Sequence, residues 1–223
     1  MLFNYVTGTV LGLLAGFVFN RLAIMQIAKR SKDPQNQNAL KKPVVLIVWL
    51  IGSAILFNAI IYRQDGQISP KTIEYLIYVS VLLNISAVDF IIRKVPNELL
   101  LLLLLTKAIF VTVDLVNKVP LWNALVIPAI GLVVGLILFT IPSIIKISIG
   151  AGDVKLSAVI GFCLGYLLYF QSMALMSVML LVYLAFLLIT KKGSMKTLTS
   201  MGPYLAFGCV LTMLFPLTNT LAG

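Results

Sequence analysis

The chain contains no histidine. That absence excludes HExxH zinc sites, Ser-His-Asp triads and Cys-His dyads. Cysteine is almost absent too. Cys163 and Cys209 lie in different apolar runs and form no ligand cluster, so they read as small buried hydrophobes. Charge is scarce: 11% of the 223 residues are charged, against about 25% in soluble domains. Acids are scarcer still, with seven Asp and Glu against 17 Lys and Arg. Residues 1–6 carry no Lys or Arg, so the positive segment of a cleavable signal peptide is missing.

What is present is hydrophobic, 61% of all residues. The pattern predicts an all-α integral membrane protein, one membrane-embedded domain over residues 1–223 with no separate soluble part. About eight apolar runs approach the length of a bilayer span. They cover roughly 2–27, 44–62, 72–92, 98–116, 122–142, 153–170, 172–190 and 201–218, with a very short hairpin around Phe170-Gln171 between the sixth and seventh. The net charge of +10 is confined to short loops, which makes it a topology signal and not a nucleic-acid patch.

The short basic loop at 28–43 holds Lys29, Arg30, Lys32, Lys41 and Lys42 against Asp33 alone, and the positive-inside rule makes it cytoplasmic. Alternation then puts Arg93 and Lys94, Lys146, and Lys191, Lys192 and Lys196 on the same side, and both termini outside. Asp65, Glu74 and Asp114 fall outside; Asp33, Asp89, Glu98 and Asp153 fall on the cytoplasmic side. Asp89 lies 17 residues beyond Thr72, which carries it about 26 Å inward along a helix. Asp153 opens the sixth span from that same side. Two carboxylates 64 residues apart thus reach one membrane depth.

A close carboxylate pair cannot easily ionise twice, so it shares a proton. The ionised member takes a proton from water and the protonated member donates to a carbonyl oxygen. That is peptide hydrolysis without metal or covalent intermediate, and it suits a chain lacking histidine. The segment Gly150-Ala151-Gly152-Asp153 would leave a loop without side-chain bulk, open to an extended peptide. The bland reading of the same segment is a glycine turn followed by a helix that Asp153 caps. After Asp89, Pro96 breaks the helix, Asn97 is a natural N-cap for the fourth span, and Glu98 suits the positive end of that helix. Arg93 and Lys94 read as interface anchors. Lys155 reads equally as a lysine snorkelling to lipid phosphate or as a group that tunes the aspartates or binds substrate.

These stretches resemble the prepilin peptidases, the type IV leader peptidase family of GxGD-type membrane aspartic proteases. Asp89 followed by Val95-Pro96-Asn97 is similar to the family's first aspartate motif, and Gly150, Gly152, Asp153, Val154, Lys155 and Leu156 match its second. Gly16 and Asn20 in the first span, and Gly202-Pro203-Tyr204 near the C-terminus, are weaker likenesses that read as packing. The resemblance implies Asp89 and Asp153 as catalysts, with Gly150, Gly152, Lys155, Pro96 and Asn97 shaping the site or binding substrate. It implies prepilin or pseudopilin substrates whose own apolar helix lies in the membrane beside membrane lipids. It also implies removal of a short basic leader at the cytoplasmic face of the bacterial inner membrane, in type IV pilus or type II secretion systems. Many members add a larger cytoplasmic region with Cys-x-x-Cys zinc motifs and methylate the new N-terminus with S-adenosylmethionine. Here 28–43 replaces that region and has no cysteine, so no metal, no cofactor and no strong methylation are expected. The alternatives are a GxGD protease acting on signal peptides or other membrane proteins, and an ion-coupled transporter. Transporters more naturally hold charges near the midplane between inverted repeats, whereas both aspartates here fall near one face.

Overall fold

The computed structural model describes residues 2–144, 150–190 and 200–217; Lys146, Lys191, Lys192 and Lys196 lie outside them. The chain is helical, with no strand among the described residues, and six helices are long and apolar enough to cross a membrane. It is a multi-pass membrane protein. It divides into two compact units, Met1–Pro120 and Leu121–Gly223.

The first unit contains α1 (Leu2–Arg30), the short α2 (Pro34–Asn38), α3 (Pro43–Arg63), α4 (Pro70–Ile92) and α5 (Asn97–Val116). Half of the basic loop is therefore ordered helix: α1 continues through Lys29 and Arg30, and Asp33 caps α2 by accepting from the Gln35 amide at 2.9 Å. Leu40, in the same segment, packs with Ala23, Ile27 and Val88 in a small buried cluster. Small residues set the α1–α3 seam. Gly8, Gly12 and Gly16 are buried, and a Cβ on Gly12 would stand 2.6 Å from Ala54 Cα. The Ser53 hydroxyl donates to Gly12 O across this seam at 2.7 Å. Gly16 is thus a packing residue, as its sequence context suggests. Arg21 places its guanidinium 5.3 Å from the Phe17 ring centroid, a cation–π contact beyond simple interface anchoring.

α4 is the helix the others enclose. Ser69 and Thr72 form a reciprocal capping box, and Pro70 fills the first turn where a missing N–H costs nothing. Buried residues run the length of α4 from Thr72 to Asp89, and its neighbours are α1, α3 and α5. Near its start Glu74 is 1% exposed. Glu74 accepts from the Tyr78 hydroxyl at 2.7 Å, from Lys71 Nζ at 2.8 Å and from Lys107 Nζ of α5 at 3.1 Å.

The second unit contains a π-helical turn at Trp122–Val126 leading into α6 (Ile127–Ile144), then α7 (Ala151–Leu164), α8 (Tyr166–Ile189) and α9 (Gly202–Leu214). α7 touches α6, α8 and α9, and every residue from Leu156 to Gly161 is buried, while α9 buries a larger share of its 13 residues. On α6 the buried positions Gly131, Gly135 and Phe139 recur every four residues and form one stripe. Two of them meet α7 backbone to backbone: a Cβ on Gly131 would overlap Gly161 O, and one on Gly135 would stand 2.6 Å from Ser157 O.

The sequence expectation and the structure differ at one turn. The chain reverses at Gly165, with φ +77°, and Phe170 and Gln171 lie inside α8. Only glycine takes that conformation readily, and an apolar run on either side hides the break from hydropathy. The sixth apolar run thus splits, leaving α7 with 14 residues, and α9 has 13.

Candidate functional site

Asp89 lies in the last turn of α4 and is 3% exposed. Arg93 ends that helix in the left-handed conformation, φ 51° and ψ 44°, and its amide donates to Asp89 O at 2.8 Å. A non-glycine residue there costs roughly 1–2 kcal/mol. The cost closes α4 sharply and lets four residues, Arg93 to Pro96, connect it to α5. Arg93→Gly is expected to stabilise the protein by up to about 1 kcal/mol, because relieved strain exceeds the added chain entropy. Thermal melting in detergent checks this, with Arg93→Ala, which keeps the strain, unchanged as the contrast.

Asn97 is not the N-cap of α5. Pro96 occupies that position, extended at φ −70° and ψ 121°, and its carbonyl accepts from the amides of Leu99 at 3.2 Å and Leu100 at 3.3 Å. The proline ring already holds the backbone geometry a cap requires, which moves Asn97 into the first helical position. Pro96 is buried and Asn97 exposed. Glu98 stands in the first turn, as its charge predicts, but its partners come from far away in sequence. Its carboxylate pairs with the Arg30 guanidinium and lies 3.9 Å from Lys29 Nζ. The last turn of α1 is thereby tied to the connection that follows Asp89.

Asp153 lies in the first turn of α7, half-buried, and Lys155 beside it is exposed. Asp153 does not cap the helix. Gly150 is the N-cap, and its carbonyl accepts from the Asp153 amide at 2.9 Å. Gly150 adopts φ −61° and ψ 134°, open to any residue, and Gly152 is already helical. The first glycine is therefore not needed for a tight turn. It keeps space beside the carboxylate: a Cβ on Gly150 would stand 3.0 Å from Asp153 Oδ2, and the side chain would have to give way slightly. The carboxylate folds back over a bare backbone position.

Each unit thus holds one candidate aspartate, near one end of a helix packed against three others. Sequence reading missed Lys107. Its signal was present, a lysine in the middle of the apolar run 98–116, where an ionisable group marks a partner or a function. Asn20 was read as packing. It is 2% exposed, and its Nδ2 has no hydrogen-bond partner among the described residues; nor does Oδ1 of the neighbouring Asn84, whose Nδ2 donates to Phe19 O at 2.9 Å.

An all-helical, multi-pass membrane architecture with an aspartate near one end of one well-packed helix in each unit defines the class. The particular family follows from comparison. The model of the type IV leader peptidase family matches residues 76–191, just over half the chain, and takes in both Asp89 and Asp153. The chain belongs to that family, and it is a peptidase. Comparison with curated proteins and with solved structures gives no match.

Proposed function

We propose that the protein is an aspartic endopeptidase that removes the short basic leader from type IV prepilins or pseudopilins. The cut falls at the cytoplasmic face of the bacterial inner membrane. One observation carries this reading: a single family match spans both aspartate motifs. The placement of Asp89 in the last turn of the buried α4, and of Asp153 in the first turn of α7, which is packed against three other helices, supports it, because such helices hold a side chain in a fixed orientation.

In this reading Asp89 and Asp153 share one proton. The ionised carboxylate takes a proton from water as the water oxygen bonds to the peptide carbonyl carbon. The protonated carboxyl gives its proton to the carbonyl oxygen. Collapse of the resulting diol returns that proton, breaks the C–N bond and protonates the leaving amine, restoring a singly protonated pair. No cofactor takes part. Gly150 and Gly152 leave the peptide backbone room beside Asp153. Pro96 and Asn97 shape the turn after Asp89, and Lys155 supplies a positive charge at the rim. The substrate's own apolar helix lies in the surrounding lipid.

The test is cleavage by the purified, detergent-solubilised protein of a panel of prepilins and signal-peptide-bearing precursors. Prepilins are expected to lose their leaders, and the product mass to lack a 14-dalton methyl increment. Cleavage of signal peptides in preference to prepilins would reverse the substrate assignment. A full methyl increment dependent on this protein would overturn the expectation of weak or absent methylation.

A further inference from the structure

The stripe Asp153, Ser157, Gly161 runs along one face of α7 at intervals of four residues. Its two inner members are fixed against α6. Gly161 meets Gly131 backbone to backbone, and Ser157 meets Gly135. The two contacts define an antiparallel register, and the next step of that register on α6 is residue 139. There the small residues stop: position 139 is a buried phenylalanine. The seam is tight where glycine lines it and must widen toward Asp153. Ser157, on the tight side of this step, stands one turn from Asp153.

Ser157 is held by more than packing. Its hydroxyl donates to Gly135 O at 3.1 Å and lies 2.6 Å from the Tyr169 hydroxyl, which therefore acts as donor to it. Ser157 and Tyr169 are both fully buried. One hydroxyl thus joins three helices: α6 through a carbonyl, α7 through its own backbone, and α8 through a tyrosine. Such a bond costs little to form and much to leave half-made in a water-free seam. A rotation of α7 about its axis would break both contacts and swing Asp153 with them.

We infer that Ser157 and Tyr169 are positioning residues for the peptidase reaction, a hydrogen-bonded pin that sets the rotation of α7 and so the direction of the Asp153 carboxylate. The inference rests on the catalytic reading of Asp153, but one arm of its test does not. The variants are Tyr169→Phe, which keeps the ring and removes one hydroxyl, and Ser157→Ala.

In prepilin cleavage by the full-length protein, each is expected to lower kcat about 10- to 100-fold, the cost of a misplacement near 1 Å, with KM within about twofold of the parent. In hydrogen–deuterium exchange, amides at 153–157 are expected to exchange about tenfold faster in the variants, with α9 and the far end of α8 unchanged. Unchanged kcat and unchanged exchange in both variants would overturn the pin. So would a raised KM at constant kcat, which would make the pair a binding element. Faster exchange throughout α6–α9 with a lowered melting temperature would also overturn it, reducing the pair to general stability. If the parent protein cleaves no prepilin, the function proposed above fails, and the exchange measurement alone decides the pin.

Discussion

Asp153→Asn and Asp89→Asn, each purified in detergent, are expected to lose about 10,000-fold in prepilin cleavage while melting close to the parent protein. The amide has nearly the size of the carboxyl but can neither accept a proton from water nor pass one to a carbonyl oxygen. Stability should survive for different reasons at the two sites. Asp153 is half-buried and is not the cap of α7, since Gly150 holds that position. Asp89 is 3% exposed, so the change must preserve volume there, and asparagine does. On the proposed mechanism, in which the two aspartates share one proton and act as a unit, the double variant should be no worse than either single one. Full cleavage retained by both single variants would remove the catalytic assignment. Loss in Asp89→Asn alone, or in Asp153→Asn alone, would show that the residues do not act as a pair.

The largest stability effect is expected far from either aspartate. Glu74→Gln should destabilise the protein by about 3–5 kcal/mol, the usual cost of leaving one member of a buried ion pair without its counter-charge. Lys107 is the reason. It is 4% exposed, in mid-helix, and Glu74 is the carboxylate that receives it. Lys71 also pairs with Glu74, but its side chain is 44% exposed and can turn to water. Lys107→Met should cost less than Glu74→Gln, because the carboxylate keeps Lys71 and Tyr78. Glu74→Gln combined with Lys107→Met should recover a large part of the loss, since the stranded ammonium is then gone. Denaturant unfolding of the four proteins in one detergent reads all three numbers. A Glu74→Gln variant within about 0.5 kcal/mol of the parent would mean that the pair contributes no net stability.

The contrast between these two effects follows what a sequence can and cannot announce. The helices were legible because a span must be apolar for some 20 residues, and no ordinary loop has that composition. The two aspartates were legible because each sits in a run of unusual residues, Asp89 ahead of Val95-Pro96-Asn97 and Asp153 after two glycines. Which helices are enclosed was not legible. α4 is less apolar than α3 and α5, and α7 less apolar than α6, α8 and α9, so hydropathy does not mark the buried helices, and in a lipid solvent burial leaves no polar face by which to read it. The ties of Glu74 to Lys107 and of Glu98 to Arg30 join residues 33 and 68 positions apart, and neither gap carries a periodic signal. The end of α7 was misplaced because one glycine with φ +77° outweighs an unbroken hydropathy run.

The brevity of α7 bears on where its first turn stands. Its 14 residues rise about 21 Å, well short of a hydrocarbon core of about 30 Å. A charged first turn, with Asp153 and Lys155, and a reversal at Gly165 cannot both reach the headgroups of an undistorted bilayer. Because α7 is packed against α6, α8 and α9, its length is matched to protein and not to lipid, and its first turn can stand recessed from the membrane surface inside the helix packing.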